Sequence, residues 1–204
     1  YYSGTNYMRT GRSREKPNLQ SVLHAYAIYA QDARGRVGHT NAVIKMTRPQ
    51  KKSTPYQGKA QVIPGRVNPS FYDEGGNGVG YLDDNVNVNG KAGFRKDEGV
   101  DTNGEWIGHT ITGEWGNLTV DIKKAGKYRV EMDYGAPDTC GGSMLMLLDD
   151  EKLLGTFEMP GRGSGWGGLK TGLRNIELPA GRHTLKLIVI GAYNYSWLTF
   201  SEEK

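Results

Sequence analysis

The side chains able to do chemistry in this chain are few, and their spacing argues against catalysis. Residues 56–204 carry twenty carboxylates, so some close pair is inevitable and its mere presence means little. Acid–base work needs one carboxyl desolvated and its pKa raised. Glu131 and Asp133 instead sit on the polar side of an alternating segment, and Asp149-Asp150-Glu151 fill a turn. The four histidines, His24, His39, His109 and His183, show no metal-ligand spacing. A lone cysteine, Cys140, excludes a disulfide framework and a cysteine-ligated zinc site. Neither a nucleophile elbow nor a phosphate loop is present. Two other residues stand out. Trp166 is set among glycines in the stretch Pro160–Gly168, which leaves its ring either as an exposed platform or as an anchor folded back into the core. Asn194 lies between Tyr193 and Tyr195, where its amide can donate and accept at once, or make a plain turn bond of the Asx type.

The elements that must position these residues read as strands. Leu118, Val120 and Ile122 alternate with Thr119, Asp121 and Lys123, and Tyr128, Val130, Met132 and Tyr134 alternate with Arg129, Glu131 and Asp133. Segments 143–148 and 153–158 flank a turn at 149–152; 184–190 follows Pro179-Ala180-Gly181, and 197–200 closes the series. Helical periodicity is nearly absent. The 30 glycines among 204 residues are about twice the usual share of roughly 7%, as short strands joined by tight turns require. The expected fold is an all-β, antiparallel β-sandwich.

Charge divides the chain. Residues 1–55 hold ten Lys/Arg against two acids, Glu15 and Asp32, while residues 56–204 hold sixteen against twenty. Such a split is expected of two units. Segments 24–31 and 42–46 bracket the turn Asp32-Ala33-Arg34-Gly35 and read as one hairpin, resembling the end of an immunoglobulin-like or fibronectin-type domain. Residues 1–47 are therefore expected to be the basic end of a preceding domain, 48–58 a linker rich in proline and basic residues, and 59–204 the sandwich. Tyr1-Tyr2-Ser3-Gly4 reads like the middle of a longer protein. No run of about 18 apolar residues exists to span a membrane. All four tryptophans fall in the acidic part, so no basic-aromatic surface for nucleic acid is evident.

Three stretches together resemble a known family. Ile63-Pro64-Gly65-Arg66 leads into the run Tyr72–Asp83; Gly99-Val100-Asp101 is followed by Gly113-Glu114-Trp115; and Pro179-Ala180-Gly181-Arg182-His183-Thr184-Leu185 is closed by Tyr193-Asn194-Tyr195-Ser196-Trp197-Leu198-Thr199-Phe200. In order and spacing they look like a family 6 carbohydrate-binding module over about residues 59–204. The resemblance implies a jelly-roll β-sandwich, secreted, cell-surface or periplasmic, appended to an enzyme such as a glycoside hydrolase. It implies a cleft at one end, where two aromatic rings clasp a sugar and an asparagine of the last loop hydrogen-bonds it. Trp166 falls at one aromatic position and Asn194 at the asparagine. The opposing ring is left open between His109, which stands where the family more often has Tyr or Trp, and Trp106. One of Tyr193 and Tyr195 is expected to line the cleft, and Trp115 corresponds to a tryptophan that sometimes serves a second surface on a sheet face. Sugar C–H faces stack on aromatic planes and their hydroxyls need fixed donors and acceptors, so the residues suit the role.

The expected partner is a polysaccharide or oligosaccharide, acidic if Arg162 and Lys170 meet a carboxylate or sulfate, together with an N-terminal catalytic part of the same protein. Alternatives are a spacer that binds nothing and a module that completes the active site of the parent hydrolase. No cofactor is required and no metal ligand is assigned. The resemblance implies a structural calcium, but Asn68 and Ser70 stand where the family often has glutamates. Calcium takes roughly six to eight oxygens, several of them carboxylate, so that ligand set is depleted.

Overall fold

Alternation along the chain is translated directly into two facing sheets. The structure is a computed structural model that describes residues 52–83, 93–163 and 165–203. Its strands are β1 (Gln61–Ile63), β2 (Gly65–Val67), β3 (Tyr81–Leu82), β4 (Trp115–Ile122), β5 (Gly126–Gly135), β6 (Gly141–Leu148), β7 (Lys152–Pro160), β8 (Leu169–Leu178), β9 (Gly181–Ala192) and β10 (Asn194–Glu202). One sheet runs β1-β4-β9-β6-β7, with β3 also against β4, and the other runs β2-β10-β5-β8. All pairings are antiparallel except β1 with β4. The chain is an all-β sandwich of the expected class. Among the described residues no helix is long and apolar enough to cross a membrane. The predicted N-terminal hairpin, with the rest of residues 1–47, lies outside the described residues.

The core is filled by the side chains that the period of two assigns to it. Leu118, Val120 and Ile122 of β4 meet Tyr128, Val130, Met132 and Tyr134 of β5, none more than 3% exposed. Strand β6 departs from alternation: its run Met144–Leu148 is buried throughout, because apolar side chains cover both faces of its sheet. On the outer face Leu145 and Leu147 join Trp115 and Ile188 in a second cluster. Strand β8 carries no clean alternation in sequence. A register shift opposite Tyr128–Val130, with Asn175 at φ 54°, puts two residues rather than one between Leu173 and the next inward side chain, Ile176.

Residues 53–58, assigned to the linker by composition, are docked on the sandwich instead. Thr54 and Glu74 exchange backbone hydrogen bonds. Tyr56 stacks on Phe71 with ring centroids 5.0 Å apart. Pro55 leads into a short 3-10 turn, Tyr56–Gly58, that packs on the sandwich rather than into a free tether, and the sequence boundary at 58 falls at the end of that turn.

One buried carboxylate completes the edge of β4. Strand β3 pairs with Trp115 and Gly116, and β1 with Val120–Ile122, which leaves a gap. Asp73 fills it. Its backbone N–H donates to the Asn117 carbonyl at 2.8 Å, its Oδ1 accepts from the Thr119 N–H at 2.7 Å, and its Oδ2 accepts from the hydroxyls of Thr119 and Ser53 at 2.8 and 2.7 Å. Asp73 is wholly buried, and that burial raises its carboxyl pKa despite the three donors to the carboxylate and nearby Arg95.

Candidate functional site

The loop end of the sandwich is assembled by backbone, which is why glycine crowds it. Four connections converge there: 106–113 before β4, 136–140 between β5 and β6, 161–168 between β7 and β8, and Tyr193 between β9 and β10. Ile107 and Tyr195 exchange backbone hydrogen bonds of 2.9 Å each, and Gly163 accepts from the Asp138 N–H at 2.9 Å. The Asp138 carboxylate accepts from the Gly163 N–H in return. Thr110 donates its hydroxyl to the Tyr193 carbonyl at 2.5 Å and accepts from the Tyr193 N–H at 3.0 Å. At Gly135 any Cβ would overlap the Trp166 carbonyl and the Gly167 nitrogen, so only glycine lets the loop of Trp166 lie against β5.

Three of the predicted residues come together on this base. Trp166 is 50% exposed, so its ring is not folded back into the core. Its carbonyl accepts from the Asn194 side-chain amide at 3.3 Å. The Asn194 Oδ1 faces Gly108, 2.9 Å from where a Cβ would stand. Trp106 brings the edge of its six-membered ring to Gly167, with Cη2 3.6 Å from the corresponding Cβ position. The indole of Trp106 therefore adjoins the loop that carries Trp166. Asn103 sets Trp106 in place, its Oδ1 accepting from the N–H groups of Glu105 and Trp106 at 3.0 and 2.8 Å. His109 lies exposed on the neighbouring turn, with φ 51°.

The two tyrosines are a correction. Tyr193 is 0% and Tyr195 4% exposed, so neither offers a ring face to a ligand. Residues two apart on an extended chain share a side, and here that side is the core. Tyr193 donates its hydroxyl to the Ser143 carbonyl at 2.6 Å. Burial pushes the Tyr195 phenol pKa well up, with the charges of Glu114 and Asp83 adding to it. Asn194, between them, is turned outward as a result.

Trp115 is a second correction. It is 4% exposed, packed beside Leu145, Leu147 and Ile188, and its ring is covered by the Lys186 ammonium at 4.3 Å. Lys186 in turn pairs with Asp150. No bare indole plane remains for a second surface. The buried Trp115 Nε1 has no hydrogen-bond partner among the described residues, so Trp115→Phe gives up no bond there. We expect it to cost under about 1.5 kcal/mol in urea unfolding, against about 3–5 kcal/mol for Trp115→Ala.

Of the two cations expected beside the platform, Lys170 is paired with Asp133, whereas Arg162 is exposed at the rim of the loop. Sequence reasoning missed the glycines at 108 and 135, where a Cβ would crowd the Asn194 amide and overlap the Trp166 carbonyl. It also missed Asn103, although Asn103-Gly104 is an ordinary turn signal.

An open face with an exposed indole, a second indole beside it and an outward amide is suited to a ring with apolar faces and polar edges. The family model for carbohydrate binding module (family 6) matches residues 86–202, more than half of the chain. This chain belongs to that family. Family 6 modules bind carbohydrate and are not themselves catalysts. Among solved structures, CsCBM6-3 of Clostridium stercorarium in complex with cellobiose is 17% identical over 72% of this chain and 99% of its own, with a TM-score of 0.52. Another family 6 module, whose binding sub-sites were dissected by crystallography and calorimetry, is 16% identical over 71% of this chain and 98% of its own, also at 0.52. A family 43 arabinoxylan arabinofuranohydrolase of Bacillus subtilis is 17% identical, with 71% of this chain matching 28% of that one and a TM-score of 0.49. No curated protein matches the chain. At these identities the likeness to the two modules is one of fold, and it agrees with the sandwich described above.

Proposed function

We propose that this family 6 module holds a secreted polysaccharide-degrading enzyme at its glycan through the loop face of Trp166, Trp106 and Asn194. The observation that carries the reading is the half-exposed Trp166 indole, held over Gly135 with the Asn194 amide at its own carbonyl. A pyranose would lay its C–H face on Trp166, with Trp106 at its flank. The Asn194 amide would exchange hydrogen bonds with adjacent hydroxyls. Sites of this shallow kind bury little area, so the expected Kd lies between roughly micromolar and millimolar, about −8 to −4 kcal/mol. Tethering then raises the enzyme's local substrate concentration without any new contact at its active site.

The test is affinity electrophoresis through gels containing neutral and acidic polysaccharides. β-Linked glucans are the first choice, since CsCBM6-3 was crystallised with cellobiose. Retardation by one polymer, reduced in Asn194→Ala, supports the binding reading. Migration unchanged by every polymer supports the spacer. Retention of an acidic polymer only, lost in Arg162→Gln, would name an acidic glycan.

A further inference from the structure

The segment that the resemblance expects to supply carboxylates to a calcium is here a 3-10 turn, Pro69–Phe71, capped by Asn68 and closed by neutral hydrogen bonds. Asn68 and Ser70 are 1% and 0% exposed, and Thr102 is 0%. The Asn68 Oδ1 accepts from the Ser70 N–H at 3.0 Å, and its Nδ2 donates to the Gly104 carbonyl at 2.7 Å. These two bonds fix which end of the amide is which, because the flipped amide would set donor against donor and acceptor against acceptor. Thr102 donates its hydroxyl to Ser70 Oγ at 2.7 Å and accepts from the Gly104 N–H at 3.1 Å. Gln61 brackets the other side, its Oε1 accepting from the Asn68 N–H at 2.6 Å and its Nε2 donating to the Asn68 carbonyl at 3.0 Å.

A calcium ion does not fit this arrangement. It needs several oxygens free of donors, some of them carboxylate, whereas the Gly104 oxygen is covered by an N–H. The three side chains facing one another carry no charge. Among the described residues no group of three or more His, Cys, Asp or Glu is placed to hold a metal.

What the network does hold is the turn behind the loop face. Gly104 is gripped through both its N–H and its carbonyl, and Phe94 lies against it, 3.2 Å from where a Cβ would stand. Its neighbour Glu105 is tied to the last strand by the Ser196 hydroxyl at 2.6 Å. Trp106 follows directly. We infer that Asn68, Ser70 and Thr102 form a metal-free latch that positions the Trp106 loop, so that this module is folded and pre-organised without a divalent cation. The latch stands whether or not a glycan occupies the face, and its test uses no sugar.

Thermal unfolding of the full chain in excess EDTA and in millimolar calcium should give midpoints within about 1 °C, whereas a specifically bound ion raises the midpoint by several degrees. In Asn68→Ala, amide exchange at Gly104, Glu105 and Trp106 should quicken about tenfold or more, while Leu118 and Val120 of β4 keep their protection. Thr102→Val, which removes the bridging hydroxyl at nearly constant volume, should show the same local pattern. A calcium-dependent midpoint in the unmodified chain overturns the inference. So does equal acceleration of loop and β4 amides in Thr102→Val, and the calcium comparison decides the metal question even if Asn68→Ala does not fold.

Discussion

Trp166→Ala is expected to weaken glycan binding by about 10- to 150-fold, since a stacked aromatic contributes roughly 1.5–3 kcal/mol. The same substitution should leave folding nearly untouched, within about 0.5 kcal/mol, because a half-exposed side chain away from the core supports little stability. Calorimetric titration beside a urea melt separates the two effects. Gly135→Ala gives an independent check. The added Cβ would overlap the Trp166 carbonyl, so the loop must shift while the indole itself is unchanged. Binding should fall to a similar degree. If both variants bind as tightly as the parent, the platform lies elsewhere; if only Gly135→Ala does, the loop is able to relax around the methyl group.

Asp73→Ala should be the most damaging change to stability, costing about 3–5 kcal/mol, while Asp73→Asn should cost about 1 kcal/mol or less. Alanine leaves the Thr119 N–H without an acceptor and strips the Thr119 and Ser53 hydroxyls of theirs, and each orphaned buried group costs about 1–3 kcal/mol. Asparagine keeps the bond to the Thr119 N–H, and the two hydroxyls can rotate to accept from its amide. The pH response separates the two variants further. Burial raises the Asp73 pKa in the folded chain above its ordinary value, so between those two values the folded state holds a proton that the unfolded state has released. Stability therefore falls as pH rises through that window. In Asp73→Asn this contribution is gone, and urea midpoints followed from acid to neutral pH should show a correspondingly flatter decline.

Much of the sandwich was legible because its strands obey the simplest rule. The alternation of 118–122 and 128–134 marks one face for the core, and both segments lie as expected. Strand β8 escaped because its irregularity at Asn175 breaks the period over the residues that carry the signal. The docked stretch 53–58 escaped because what holds it, a hydroxyl on Asp73 and a ring on Phe71, depends on residues some twenty positions away. At the site, a tryptophan among glycines was a sound pointer to an exposed ring. The tyrosines flanking Asn194 were a poorer one, since aromatic content says nothing about direction whereas the two-residue repeat does. The choice between Trp106 and His109 could not be read locally. It turns on contacts sixty residues further along, where the Trp106 ring meets Gly167, and glycan binding by variants of each is the measurement that decides it.

The two ends of the sandwich differ in a way that matters for handling the molecule. Loops 106–113, 136–140 and 161–168 share one end with Tyr193, whereas the turns at 123–125, 149–151 and 179–180 share the other. Glu203 is at that second end, its N–H bonded to the Lys127 carbonyl. Anything fastened beyond Glu203, whether a dye, a bead or a sensor chip, would stand on the order of 30 Å from Trp166, the length of the long strands between them. Captured from that side, the molecules would all present the indole face outward, so a surface coated with them would be uniformly oriented toward whatever polymer flows past.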